Sequence, residues 1–288
     1  MKTFPCTSLA KWMFLLLLFV AAASCNGKLS QDVIDTKTTH FTWYSKCVKD
    51  SFDIYISLPD SYDTGTVSYP VIYYMDANLK SGKEFRKAVY NARQNRKALN
   101  AISIGIGHFE NYRELRRRDL ITPFVKTNSD SLISDEENFG HCEEFYQFLQ
   151  YELIPFVEKE YRCDSCRSWV GHSLGGLFAF YCLFKEQHLF KNYVALSPAL
   201  WINYGNIYDF EKKYYKQSTT LNANVYLCAG SWERLNKILE CSRQMKSYID
   251  ARKYNGLNLV YKEFKGESHN SEVPIALAEI LPALGKNN

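Results

Sequence analysis

The chain has 288 residues, of which 46% are apolar and 23% charged, with a formal charge of +4. That balance suits a globular protein with a sizeable core, built as one large domain or two small ones. The positive excess is too small and too dispersed to describe a nucleic-acid surface, so no nucleic-acid partner is expected. Aromatic residues make up 15% of the chain, which serves dense core packing or an aromatic-lined cleft.

Residues 1–24 read as a signal peptide. Lys2 and Lys11 supply a basic start, and "WMFLLLLFVAAAS" is an apolar run closed by small residues. The run is too short for a membrane span and suits a cleaved secretory signal. Cys25 follows directly, and small residues before a Cys resemble a bacterial lipobox, with Ala22 where Leu is usual. The expectation is acylation at Cys25, a polar lipid-anchored linker over 25–40, and an exported, membrane-tethered domain over 41–288. Seven further cysteines remain: Cys47, Cys142, Cys163, Cys166, Cys182, Cys228 and Cys241. An exported location permits disulfides, and an odd number leaves at least one thiol unpaired. "CDSC" at 163–166 has no second ligand pair for zinc and precedes a strand instead of opening a helix, so it reads as a structural loop. No metal or cofactor is expected.

Beyond the linker the elements alternate. "FDIYISLP" (52–59) has the period of a half-buried strand. "YPVIYYMD" (69–76) and "AISIGIG" (101–107) are nearly continuous apolar runs, as central parallel strands are. "RELRRRDL" (113–120) reads as a basic loop on the active-site side. From 143 to 161, Phe145, Phe148, Leu149, Leu153 and Phe156 share one helical face. "RSWVGH" (167–172) is a strand, and "LGGLFAFYCLFK" (174–185) is an apolar and therefore buried helix. "YVALSP" (193–198), "ANVYLCAG" (223–230) and "LNLVYKEF" (257–264) are strands separated by helical stretches. Strands alternating with helices predict an α/β fold with a mostly parallel sheet and helices on both faces.

"GHSLGG" (171–176) lies between such a strand and such a helix. G-x-S-x-G in that setting is a nucleophile elbow, with Ser173 at the tip. Gly171, Gly175 and Gly176 allow the tight turn and the close helix approach. A serine hydroxyl needs a base to become a nucleophile. In the chain order Ser, acid, His, the base falls on His269 in "KGESHNS", after the last strand. His172 adjoins Ser173, but its side chain is expected to leave the strand in another direction; His40 lies in the linker. The acid must end a strand between these two, and Glu233 in "AGSWE" does so. Asp209, Glu211, Glu263 and Glu267 are less well placed. Oxyanion donors are expected from the backbone of Leu174 and of Asn78 in "YYMDANLKSG", with Ala77 as the next choice.

Seven stretches in this order resemble the putative-esterase family of α/β hydrolases: "YPVIYYMDAN", "RRRDLITPF", "FLQYELIPFVEKEYR", "GHSLGGLFAFYCLF", "LSPALW", "AGSWE" and "GESHNSEVP". They span roughly residues 50 to 276. The resemblance implies the α/β-hydrolase fold, carries the family's nucleophile, histidine and acid onto Ser173, His269 and Glu233, and is nearest to its siderophore-esterase-like subgroup. The chain departs from the family at "DAN", where relatives often read D-G. The implied activity is carboxylic ester hydrolysis through an acyl-enzyme. Substrates in view are a siderophore lactone, an acetyl or feruloyl ester on a glycan, or an acyl group passed to an acceptor other than water. The competing expectation is a non-catalytic binding lipoprotein on the same scaffold. Arg116, Arg117 and Arg118 are candidates for clamping an anionic or catecholic substrate.

Overall fold

The computed structural model describes residues 38–95, 99–109, 111–124, 139–233 and 237–285. The expected signal peptide, Cys25 and most of the linker lie outside the described residues. Eight strands form one sheet: β1 (Thr38–Ser45), β2 (Asp50–Ser57), β3 (Tyr69–Met75), β4 (Ile102–His108), β5 (Cys163–His172), β6 (Asn192–Leu196), β7 (Thr220–Gly230) and β8 (Asn255–Phe264). Their spatial order is β1-β2-β4-β3-β5-β6-β7-β8. The first two strands pair antiparallel with their neighbours, and all the others pair parallel. The expected α/β fold is therefore present.

The central strands are buried on both faces, which explains their continuous apolar runs. In β3, Tyr73 packs with one core cluster while Ile72 and Tyr74 pack with another. Helices α1 (Lys80–Gln94) and α8 (Glu272–Leu284) cover one face. The opposite face is covered by α2 (Tyr112–Leu120), α3 (Cys142–Phe148), α4 (Ile154–Glu160), α5 (Leu174–Leu183), α6 (Ile207–Gln217) and α7 (Ile238–Arg252). Its core includes Phe52, Phe145, Trp169 and Phe178, with the Phe145–Phe178 and Trp169–Phe178 ring centroids each 5.1 Å apart and edge-on. That edge-to-face geometry adds to the simple burial of apolar area.

The helix expected over 143–161 forms as α3 and α4 joined by a π-helical turn at Leu149–Leu153. Pro155 stands in the first turn of α4. It has no N–H to donate, and the wider turn just before it absorbs that missing bond.

Three expectations are corrected. Residues 38–40 belong to β1, where His40 Nε2 lies 3.1 Å from Asp53 Oδ1 and its ring stacks on Tyr55. "CDSC" is the beginning of β5, with Cys163 paired to Tyr69 of β3, so it is strand and not loop. "RELRRRDL" is helix α2. Arg, Glu and Leu are all good helix formers, and tertiary anchors described below hold it in place. The seven cysteines beyond Cys25 are all free thiols in the structure.

Candidate active site

The carboxyl ends of the parallel strands carry the site, as the topology of such sheets favours. β5 ends at His172, and Ser173 follows as the residue before α5. Ser173 has φ 59° and ψ −112°, a conformation a non-glycine residue adopts only under constraint from its surroundings. The constraint is visible. The Ser173 N–H donates to Leu196 O at 2.9 Å, and its carbonyl accepts from Gly176, Leu177 and Ala199. A Cβ on Gly171 would stand 2.0 Å from Gly175 O, so the strand and helix approach too closely for any other residue there. Asp76 after β3 and Ser197 after β6 also have positive φ, 65° and 44°. Three non-glycine residues in strained turns thus share one edge of the sheet.

Glu233 follows β7 and His269 follows β8. Their side chains meet, with His269 Nδ1 3.0 Å from Glu233 Oε2. Glu233 is 1% exposed at its side chain and His269 30%. The other carboxylate oxygen, Oε1, accepts the Gly230 N–H at 2.7 Å and the Ser197 hydroxyl. A carboxylate held in this way binds an Nδ1–H and leaves Nε2 of the imidazole free to take a proton. The two loops are laced together: Ser231 N–H donates to Phe264 O at 2.9 Å and Trp232 N–H to Glu267 O at 3.0 Å. The Ser173 hydroxyl makes no hydrogen bond among the described residues, His269 included.

His172 reaches the His269 loop. Its Nε2 donates to the His269 carbonyl at 2.7 Å, and the two rings lie 4.4 Å apart. Burial, with His269 and Arg116 nearby, lowers His172 to about 3, so it stays neutral and keeps its proton for that carbonyl. Its position beside the serine was legible in the sequence; its direction was not.

On the β3 side, the Ala77 N–H is committed to Ile106 O at 3.0 Å. The Asn78 N–H has no acceptor among the described residues, nor has that of Leu174. The side-chain amide of Asn78 donates to the His108 carbonyl, and Arg86 donates to the Ala77 carbonyl, which fixes this turn.

Arg116, Arg117 and Arg118 of α2 do not act as one group, because consecutive helical residues project about 100° apart. Arg116 forks onto the buried Asp76, with Nη2 2.8 Å from Oδ2. Arg118 joins Asp50 at 2.7 Å and the buried Asp119 at 2.6 Å. Arg117 lies over the Phe139 ring at 4.1 Å, without a carboxylate partner among the described residues. It borders a cavity of about 780 Å³ that Lys49 and His141 also line. A second cavity, about 500 Å³, lies against Glu233 and is lined by Trp232, Lys237, Arg243 and Lys265. Among the described residues no cluster of His, Cys, Asp and Glu could hold a metal.

Comparison with known proteins agrees with this architecture. The family model described as "Putative esterase" matches residues 45–284. The ferri-bacillibactin esterase BesA of Bacillus subtilis is 28% identical over 242 residues, 80% of this chain and 83% of that protein. The siderophore triacetylfusarinine C esterase of Aspergillus fumigatus is 27% identical over 179 residues, 59% of each chain. The crystal structure of the BES protein from Bacillus cereus superposes with a TM-score of 0.75 at 28% identity, covering 90% of this chain and all of that one. With an α/β-hydrolase sheet and a family match over most of its length, the chain belongs to the putative-esterase family and is an ester hydrolase.

Proposed function

We propose that this esterase is a serine hydrolase of siderophore esters, with Ser173, His269 and Glu233 as its triad. One observation supports the triad most: the closed His269–Glu233 contact at the same sheet edge as a strained Ser173. In this reading Ser173 Oγ attacks the ester carbonyl carbon and its proton passes to His269 Nε2. The N–H groups of Leu174 and Asn78 receive the oxyanion. The C–O bond to the alcohol breaks, and His269 returns the proton to the departing oxygen. Water then repeats the sequence on the acyl-enzyme. The open Ser173–His269 contact is in keeping with a site that tightens when substrate arrives.

The substrate class rests on the relatives, whose names are those of siderophore esterases. Cationic and aromatic side chains suit an anionic, catechol-type ester: Trp232, Lys237 and Lys265 line the cavity against Glu233, and Arg117 and Lys49 line the cavity beside α2 together with Glu114 and Glu144. Among Arg116, Arg117 and Arg118, Arg117 is the one proposed to meet substrate, since carboxylates already engage the other two. Export and lipid attachment at Cys25 belong to the same proposal and rest on the pattern of residues 1–25.

The test is a panel of purified esters with wild type and variants. Ser173→Ala and His269→Ala should each lower kcat by at least about 10³-fold while the protein stays folded. Glu233→Ala should lose less. A ferric trilactone siderophore should show a higher kcat/KM than feruloyl or acetyl sugar esters, and the advantage should shrink with salt. Full activity in Ser173→Ala would overturn the serine mechanism, and preference for the sugar esters would overturn the substrate class.

A further inference from the structure

Glu272 opens α8 directly behind the Glu233–His269 pair, and the reaction above makes no use of it. Its residue is 0% exposed. Oε1 lies 2.7 Å from Ser197 Oγ, and Oε2 has no hydrogen-bond partner. The same Ser197 hydroxyl also touches Glu233 Oε1. One hydroxyl therefore sits between two buried carboxyl groups.

Counting protons decides the arrangement. Ser197 has a single hydroxyl proton and can give it to only one carboxyl group. If both groups were anions, one of the two contacts would hold no proton, and two negative charges would face each other away from water. Such pairs do not both ionise. A proton on Glu272 Oε1 completes the set: Glu272 donates to Ser197, Ser197 donates to Glu233, and His269 Nδ1–H donates to the other oxygen of Glu233. Each contact then has one donor and one acceptor.

We propose that Glu272 is a positioning residue that acts as a neutral acid through Ser197, holding the Glu233 carboxylate that orients His269. This rests on the Ser173–His269–Glu233 reading. The surroundings favour the acid form. Burial, together with Glu233 past β7 and Glu267 before α8, pushes Glu272 up to about 8. The Cys228 thiol within β7 also faces Glu272 and is itself raised by burial. On the far side of Glu233, His172 is neutral and His269 makes the Nδ1 contact. The N-terminus of α8 favours the anion, but burial outweighs it. Ser197 is suited to its place: it is wholly buried, and its N–H is tied to Cys228 O at 2.8 Å, which aims the hydroxyl between the two acids.

When Glu272 ionises, Ser197 can donate to only one of its two neighbours, and Glu233 is left with the Gly230 and His269 contacts alone whenever Glu272 takes that proton. The experiment is the pH profile of kcat and KM for a p-nitrophenyl ester, with wild type, Glu272→Gln, Ser197→Ala and the double variant. Wild-type kcat should fall as pH rises past about 8, the value to which burial lifts Glu272. Glu272→Gln is uncharged at every pH and can still donate from its amide. It should keep kcat within about twofold at pH 7 and lose the alkaline fall. Ser197→Ala should lower kcat about tenfold with KM unchanged, the scale of one hydrogen bond to a charged group. Adding Glu272→Gln to Ser197→Ala should change nothing more. The proposal is overturned if Glu272→Gln reproduces the wild-type profile, or if Ser197→Ala keeps full kcat. Either result with Ser173→Ala inactive leaves the triad standing, whereas an active Ser173→Ala removes the triad itself.

Discussion

Gly171 and Gly175 look alike in the motif, but the structure separates them. A methyl group at 171 would meet the Gly175 carbonyl oxygen at 2.0 Å, whereas at 175 the nearest atom is Met75 Cβ at 3.6 Å, an ordinary contact. Gly171→Ala should therefore push the elbow apart, costing about 1–3 kcal/mol and most of the activity. Gly175→Ala should be neutral or slightly stabilising, since it sits in the first turn of α5 without a positive φ. Thermal melts and initial rates on the two variants check this contrast; equal losses would show that the elbow tolerates neither. The pattern in the sequence announced a tight turn. Which glycine the turn needs depends on where the helix backbone lands, a three-dimensional fact.

At the scale of elements, α2 is where the sequence misled. Its run of arginines reads as a solvated loop because the partners lie far away in the chain. Asp50 is on β2, Asp76 follows β3, and Asp119 is buried against His108 of β4 at 2.9 Å. Arg118→Ala would leave Asp119 with a single polar neighbour and should destabilise the fold by about 3 kcal/mol, as removal of one partner from a buried pair does. Arg117→Ala, at an aromatic contact beside a cavity, should leave the melting temperature nearly unchanged. Its effect should be on KM for an anionic ester, which steady-state kinetics with charged and neutral substrates would detect. "CDSC" misled for a related reason. The strand was expected to begin only at Arg167, but parallel pairing to β3 carries β5 back to Cys163. By contrast α5, β3 and β4 were legible at once, because a segment buried on all sides must be apolar throughout.

Over the whole molecule, the buried acid makes stability depend on pH. Glu272 has an ordinary carboxyl value of about 4.3 in the unfolded chain and about 8 in the folded one. The folded state thus holds the proton more tightly. The stabilisation this brings is complete below the unfolded value and declines until pH passes 8. His172 works in the opposite sense: its folded value of about 3 is depressed from 6.5, so its contribution grows with pH up to 6.5 and then stops. Between about 6.5 and 8 Glu272 is left unopposed by His172, and the wild-type melting temperature should fall by about 4 °C. Glu272→Gln should flatten that stretch, and melts at pH 6.5, 7.2 and 8 read it directly. The amino-acid sequence by itself determined the alternation of strands and helices, the two-sided burial of the sheet and the chain order of Ser173, Glu233 and His269, because hydrophobic period and turn residues are local properties. Only the tertiary structure decided that Glu233 touches His269, that His172 braces the His269 loop, and that Ser197 and Glu272 stand behind them. Those residues come from four strand ends far apart in the chain, and only the parallel order of β5, β6, β7 and β8 brings their carboxyl ends together.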